Sequence, residues 1–205
     1  MGLYEKYLLP RVVHFTCSSR PAMRQRRKVV PLATGRVLEV GIGSGLNLSF
    51  YDPDTVSKVY GLDPSREITR IAGEAARRAP FEVEFVTAGA EEIPLDDASF
   101  DTVLLTYTLC TIDDGDAALR EMARVLKPGG RLLFCEHGLA PDPGVRRWQN
   151  RLNPIWSRLG GGCRLDRDIP ALLHRGGFAI EELATMYIPG WRPASFNYWG
   201  SARVP

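Results

Sequence analysis

Four cysteines and three histidines are the only thiols and imidazoles in this 205-residue chain. Cys17, Cys110, Cys135 and Cys163 lie far apart and form no CxxC pair. That spacing argues against a disulfide or zinc framework and for reduced thiols in a cytoplasmic protein. No two histidines share metal-ligand spacing, so the expectation is no metal. Repeats and low-complexity tracts are absent, and no apolar run approaches the roughly 18 residues that a membrane span requires. The longest apolar-leaning run, Thr102 to Ile112, contains threonines and reads as a buried strand. Glu5, Lys6 and Pro10 interrupt the N-terminus before an apolar stretch develops, which argues against a signal peptide. Acidic residues are missing from Lys6 to Leu38, where eight Lys and Arg stand alone. Basic charge interleaved there with Tyr7, Leu8, Leu9, Val12 and Phe15 is the mixture of an interfacial amphipathic segment. Residues 3–28 are therefore expected to form a lid that can rest on an anionic membrane surface. Basic and aromatic residues do not combine into a recognised nucleic-acid reader, so no nucleic acid is expected as a partner.

What is present is the composition of a soluble globular domain, 44% hydrophobic and 24% charged with a net charge of +2. A chain of this size buries about 70% of its unfolded surface in one core. Short β-rich runs alternate with helix-length segments, which predicts βαβ units and a parallel sheet. Arg36–Gly41, Lys58–Asp63, Phe81–Thr87, Phe100–Thr108 and Arg131–Glu136 read as strands. Ser65 is positioned to cap a helix whose buried face is Ile68, Ile71, Ala72, Ala75 and Ala76. A second helix runs from an Asp114 cap to about Leu126, where Lys127-Pro128-Gly129-Gly130 stops it. Two late runs, Phe178–Tyr187 and Phe196–Val204, flank Pro189-Gly190 and predict an edge hairpin.

Gly41, Gly43 and Gly45 fall where the first strand should meet a helix, a place where backbone N–H groups approach a ligand. Asp63 ends the second strand 18 residues after Gly45, suited to accept two hydrogen bonds from a ribose diol. A dinucleotide fingerprint would place the third glycine one position later, which disfavours a nicotinamide dehydrogenase.

With Gly61-Leu62-Asp63-Pro64-Ser65, the run Ala90–Asp101 and Arg124–Gly130, these residues resemble the class I S-adenosylmethionine-dependent methyltransferases, over about residues 35–137. The resemblance implies a Rossmann-like α/β fold, a seven-stranded mostly parallel sheet with an antiparallel last strand and helices on both faces. It implies one methyltransferase domain over 1–205, with a basic lid at 1–34, a cofactor core at 35–137 and acceptor-side helices plus the hairpin at 138–205. S-adenosyl-L-methionine is the implied cofactor and S-adenosyl-L-homocysteine its product, with the methionine portion at Gly41, Gly43 and Gly45 and the ribose on Asp63. The implied cofactor residues also include Glu39 for the amino group, Asn47, Pro64, Ser65 and Thr106. Where the family often carries an Asp for the adenine amino group this chain has Gly89, so adenine recognition falls to backbone near Ala90 and to Glu91.

For the acceptor, His137 ends the fifth strand at the sheet's carboxyl edge and is the candidate catalytic residue, as a base or hydrogen-bond donor. His14 and His174 are read as structural. Trp148 and Trp156, eight positions apart, are the candidate walls of an apolar acceptor pocket. Direct displacement needs no covalent thiol, so Cys163 is read as structural. Similarity to alkyl-thiol, phospholipid and quinone methyltransferases implies a small lipophilic acceptor. Thiol S-methylation stands ahead of N-methylation of a lipid headgroup or amine, with C- or O-methylation of a quinol third. A cofactor-binding protein without turnover is the alternative from another class.

Overall fold

The computed structural model describes residues 15–205. Its centre is one seven-stranded sheet in the order β3-β2-β1-β4-β5-β7-β6. The strands are β1 (Gly35–Val40), β2 (Val56–Leu62), β3 (Glu82–Val86), β4 (Phe100–Thr106), β5 (Leu126–His137), β6 (Ala179–Tyr187) and β7 (Phe196–Arg203). All neighbouring pairs are parallel except those of β7, which runs antiparallel to both β5 and β6. The late runs thus form the expected hairpin, inserted so that β6 takes the edge.

Central strands buried on both faces carry near-continuous apolar runs. Leu38, Val103, Leu105, Leu132 and Phe134 enter one core, whereas Val37, Leu104, Leu133 and Cys135 enter the other. The helices are α1 (Arg20–Val29), α2 (Arg66–Ala76), α3 (Gly115–Val125), α4 (Pro143–Leu159) and α5 (Ile169–Arg175). Buried residues of α3 and α5 fill the first core, while Val29 of α1 joins the second. Ser65 and Asp114 cap as the sequence predicts, accepting from the N–H groups of Ile68 and Ala117. On α2, Ala72 is buried but Ile71 stays half exposed, against the expected uniform face.

Two expectations need correction. No α-helix follows the glycine turn: residues 42–50 form successive tight turns, closed by N–H bonds from Gly45 to Ile42, Leu48 to Gly45 and Phe50 to Asn47. Strand four stops at Thr106 rather than Thr108, because Tyr107 adopts φ +56° and breaks the extended course. Of the expected lid at 1–34, and of its membrane segment at 3–28, residues 1–14 lie outside the described residues. The described part, 15–34, carries α1, packed against β5 and β7, and a 3-10 turn at Val30–Leu32.

The turn after β1 is anchored from beneath by a buried carboxylate. Glu39, 1% exposed, accepts from Asn47 Nδ2 at 2.9 Å and from the Tyr51 hydroxyl at 2.6 Å. Burial pushes its carboxyl up from 4.5 to about 7, against the lowering pull of Tyr51, Arg26 and Asn47. Between those values the folded chain holds a proton that the unfolded chain has released, so stability falls as pH rises through that window and levels off above it. The full drop from this group is about 3 kcal/mol. Glu136, also buried, is raised over the same range, so Glu39→Gln should make this part of the curve shallower without levelling it, leaving the variant less sensitive to pH from 4.5 to about 7 in urea denaturation.

Candidate cofactor and acceptor site

Parallel topology brings the carboxyl ends of β1, β2 and β4 to one edge, where open α/β sheets hold ligands. A cavity of about 760 Å³ lies there, within the roughly 300–1,000 Å³ of small-molecule sites. Gly41 and Gly43, Asp63 to Ser65, Ala88 to Glu91, and Thr106 to Thr108 line it. Of the residues singled out in the sequence, Gly41, Gly43, Asp63, Pro64, Ser65, Ala90, Glu91 and Thr106 therefore share one wall.

Asp63 organises this wall. One carboxylate oxygen accepts the Gly43 N–H at 3.0 Å and the other the Ser65 N–H at 2.9 Å, tying the turn after β1 to the start of α2. Burial raises its pKa, and the two backbone donors oppose that rise. Gly41, at φ +72°, is required for a different reason: a Cβ there would overlap the Thr108 side chain. Gly45 faces away from the cavity, and a Cβ at this position would press on Leu48 and Ala72 at 3.1 and 3.2 Å. It packs the turn against α2.

Glu39 and Asn47 stand behind the wall. Asn47, fully buried, donates to Glu39 and to Thr106 Oγ1 and accepts from Arg26 at 2.9 Å. Arg26 is the residue that the sequence reading missed. It lines the cavity, is 4% exposed, donates also to Thr106, and its guanidinium lies 5.2 Å from the Tyr107 ring centre. Its Nε is buried without a partner among the described residues. The signal was available in the helical spacing: Ala22, Gln25, Arg26 and Val29 form the buried stripe of α1, and an arginine on such a stripe calls for a polar partner.

The acceptor-side residues do not converge as expected. Trp148 is 57% exposed and lines a separate groove with Arg147, Arg151 and Arg192. Trp156 lies against Trp191, ring centres 5.2 Å apart, and donates its indole N–H to Cys163 Sγ at 3.4 Å. His137 is likewise not on the cavity wall. Its ring lies nearly parallel to that of the wall residue Tyr107, centres 6.5 Å apart, and its Nε2 is 3.2 Å from Cys163 Sγ. Cys163 Sγ is in turn 3.8 Å from Cys110 Sγ. The Cys110 thiol hydrogen bond lowers the pKa of Cys163, as does His137, while the same pairing and burial raise that of Cys110. Burial opposes charge on His137, yet Cys163 and Glu136 leave its pKa raised. Glu136, fully buried, receives the N–H groups of Thr108 and Leu109 and holds the loop after β4 in place.

The family model described as a methyltransferase domain matches residues 38–134. A thiol S-methyltransferase of Homo sapiens is 34% identical over 170 residues, 79% of this chain and 69% of that protein. A demethylmenaquinone methyltransferase of Clavibacter sepedonicus is 36% identical over 121 residues, 59% of this chain and 49% of the other. An N-methyltransferase of Bradyrhizobium japonicum, solved with S-adenosyl-L-homocysteine, shares the fold at a TM-score of 0.68 and 14% identity, over 92% of this chain and 89% of that one. The chain spans about two thirds of the length of the thiol S-methyltransferases it matches. A match of this identity and extent, on a sheet of this topology, means that the chain belongs to the class I S-adenosylmethionine-dependent methyltransferases.

Proposed function

We propose that the chain methylates a small lipophilic thiol with S-adenosyl-L-methionine. The observation that carries the reading is the single cavity joining the Gly41–Gly43 turn and Asp63 to a wall of Tyr107, Ile112, Gly160 and Gly161. The similarity to thiol S-methyltransferases over 79% of the chain supports sulfur as the acceptor atom.

The residues present suit the cofactor. Each Asp63 oxygen keeps a second lone pair beyond its backbone bond, available to a ribose diol. At Gly43 nothing lies closer than 3.9 Å to where a Cβ would stand, so the turn leaves room for a ligand against its backbone. Arg26, with an unpartnered buried Nε, supplies the cation for an amino-acid carboxylate, and Glu39 and Asn47 hold that end of the site from behind. Ala90 and Glu91 flank the space left for adenine. When bound, the cofactor supplies a sulfonium methyl: an acceptor sulfur forms the new C–S bond with its lone pair, the sulfonium keeps the old bonding pair, and the thiol proton is released. The protein's own contribution is to align the acceptor and exclude water, since an in-line displacement gains most from positioning. Arg26 of α1, buried on the cavity wall, serves that exclusion.

On the outside of α1 the basic residues divide. Arg26 is buried, and Arg27 and Lys28, though exposed, lie over Phe50 and Trp199, whereas Arg20 and Arg24 are exposed on α1's first half. Two such charges contribute roughly 1 kcal/mol each toward an anionic lipid surface at low salt. Sedimentation with phosphatidylserine vesicles should show weak binding at low ionic strength that disappears at physiological salt and in R20E/R24E. Equal binding of that variant would remove Arg20 and Arg24 from the contact.

The cofactor assignment is tested by calorimetry. S-adenosyl-L-homocysteine should bind, and Asp63→Ala should weaken it by about 2–4 kcal/mol through lost hydrogen bonds to a charged group. For the acceptor, labelled S-adenosyl-L-methionine should be turned over with alkyl thiols ahead of phosphatidylethanolamine and quinols. Turnover of a quinol or amine with none for thiols would overturn the sulfur assignment. Cofactor binding without turnover of any acceptor would favour a non-enzymatic binding protein.

A further inference from the structure

We propose that Cys110, His137 and Cys163 form a binding site for a zinc-class cation whose fourth position opens toward the cavity and takes a thiol acceptor. The thiol clause rests on the function proposed above; the cation site itself does not.

The three side chains come from the loop after β4, the end of β5 and the loop after α4, and their ligand atoms all lie within 4.8 Å of one another. Two sulfurs on one tetrahedral ion, each at about 2.3 Å, stand about 3.8 Å apart. Cys110 and Cys163 are separated by 3.8 Å and are not joined in a disulfide. A sulfur and an imidazole nitrogen on the same ion stand about 3.5 Å apart, and His137 Nε2, 3.2 Å from Cys163 Sγ, lies a few tenths of an ångström from that separation. His137 Nδ1 is buried without a partner among the described residues, which leaves Nε2 as the nitrogen facing the sulfurs.

The frame is held independently of any ion. The Arg164 N–H donates to the Cys110 carbonyl at 2.9 Å, fastening one cysteine's loop to the other's, and the Leu165 N–H donates to Asn153 Oδ1 of α4. Gly161 and Gly162, at φ +60° and +87°, allow the chain to double back beneath α4. The Trp156 indole N–H points at Cys163 Sγ, an outer contact of the kind that orients a metal ligand.

Donor chemistry selects the cation. Two thiols and an imidazole with no carboxylate suit zinc and exclude magnesium or calcium. Three protein ligands rather than four leave one position for an exogenous molecule. None of the three ligand side chains is on the cavity wall, but Thr111, Gly160 and Gly161, close in the chain to Cys110 and Cys163, line it, so the site adjoins the acceptor end. A thiol entering it is deprotonated on the ion: its proton goes to solvent, and its sulfur keeps the lone pair needed to form the new C–S bond.

Elemental analysis of the reduced full chain, purified with zinc and dialysed against metal-free buffer, should find about one zinc per chain. Zinc content should fall at least tenfold in C110S and in C163S, while S-adenosyl-L-homocysteine still binds both with wild-type affinity, which certifies their folds. The cobalt-loaded chain should show thiolate charge-transfer absorption and tetrahedral visible bands that shift when an alkyl thiol is added. Wild type without zinc or cobalt bands, or a C110S/C163S variant that retains zinc, overturns the site. Cobalt bands indifferent to the thiol overturn the open position. A metal-free chain that still methylates thiols separates failure of this site from failure of the proposed function, which instead appears as zinc-loaded protein inactive on every thiol.

Discussion

A carboxylate that spends both its oxygens on backbone N–H groups sets the geometry of the whole edge. Asp63 draws Gly43 and Ser65 toward one point, so the turn after β1 and the first turn of α2 are fixed relative to each other before any ligand arrives. Charge-assisted bonds of this kind are stronger than neutral ones. The same side chain also lines the cavity, and its burial raises its pKa only against the opposition of those donors. Positioning and binding are thus carried by one residue.

Behind that edge lies a costlier arrangement. Glu39, Asn47, Tyr51, Thr106 and Arg26, all buried, exchange hydrogen bonds there. A buried carboxylate is expensive even when paired, and Glu39's raised pKa is the measure of that expense. An apolar β1 residue would be cheaper, but it would leave Asn47 Nδ2 and the Tyr51 hydroxyl without an acceptor and release the turn they hold. Tyr107 adds local strain, since a left-handed φ of +56° is disfavoured for a bulky side chain. Its hydroxyl bond to Asn197 at 2.7 Å and its N–H bond to the Cys135 carbonyl hold it there. Strain concentrated at a cavity wall fits a site whose task is alignment.

Much of this was legible in the residues because the signals are local. Short apolar runs between helix-length segments located the strands, and Ser65 and Asp114 announced their helices through side chains that satisfy backbone donors nearby. Asp63 was legible because strand end and glycine turn stand at a fixed distance in the fold. The helix expected after Gly45 failed because propensity there is overridden by three glycines at positive φ and by Asn47, whose side chain serves Glu39 rather than an outward helix face. Trp148 and Trp156 share a helix, but α4 offers its Trp148 side to solvent and its Trp156 side to Cys163 and Trp191. Spacing along a helix says which residues are neighbours in angle, not what each angle meets.

Ligands gathered from distant elements are the harder case. Metal-site spacing rules describe ligands held by one turn or one helix, and by those rules Cys110, His137 and Cys163 have nothing in common. In the fold they are joined by β4 and β5 pairing in parallel, which sets the loop after β4 beside the end of β5, and by the Arg164 N–H bond that returns the loop after α4 to Cys110. Glu136 stabilises the same junction by accepting from Thr108 and Leu109, so the loop bearing Cys110 is anchored to the residue preceding His137. Convergence of this kind is a property of topology. It follows from where β5 ends relative to β4, and a sequence discloses it only once the strand order is known.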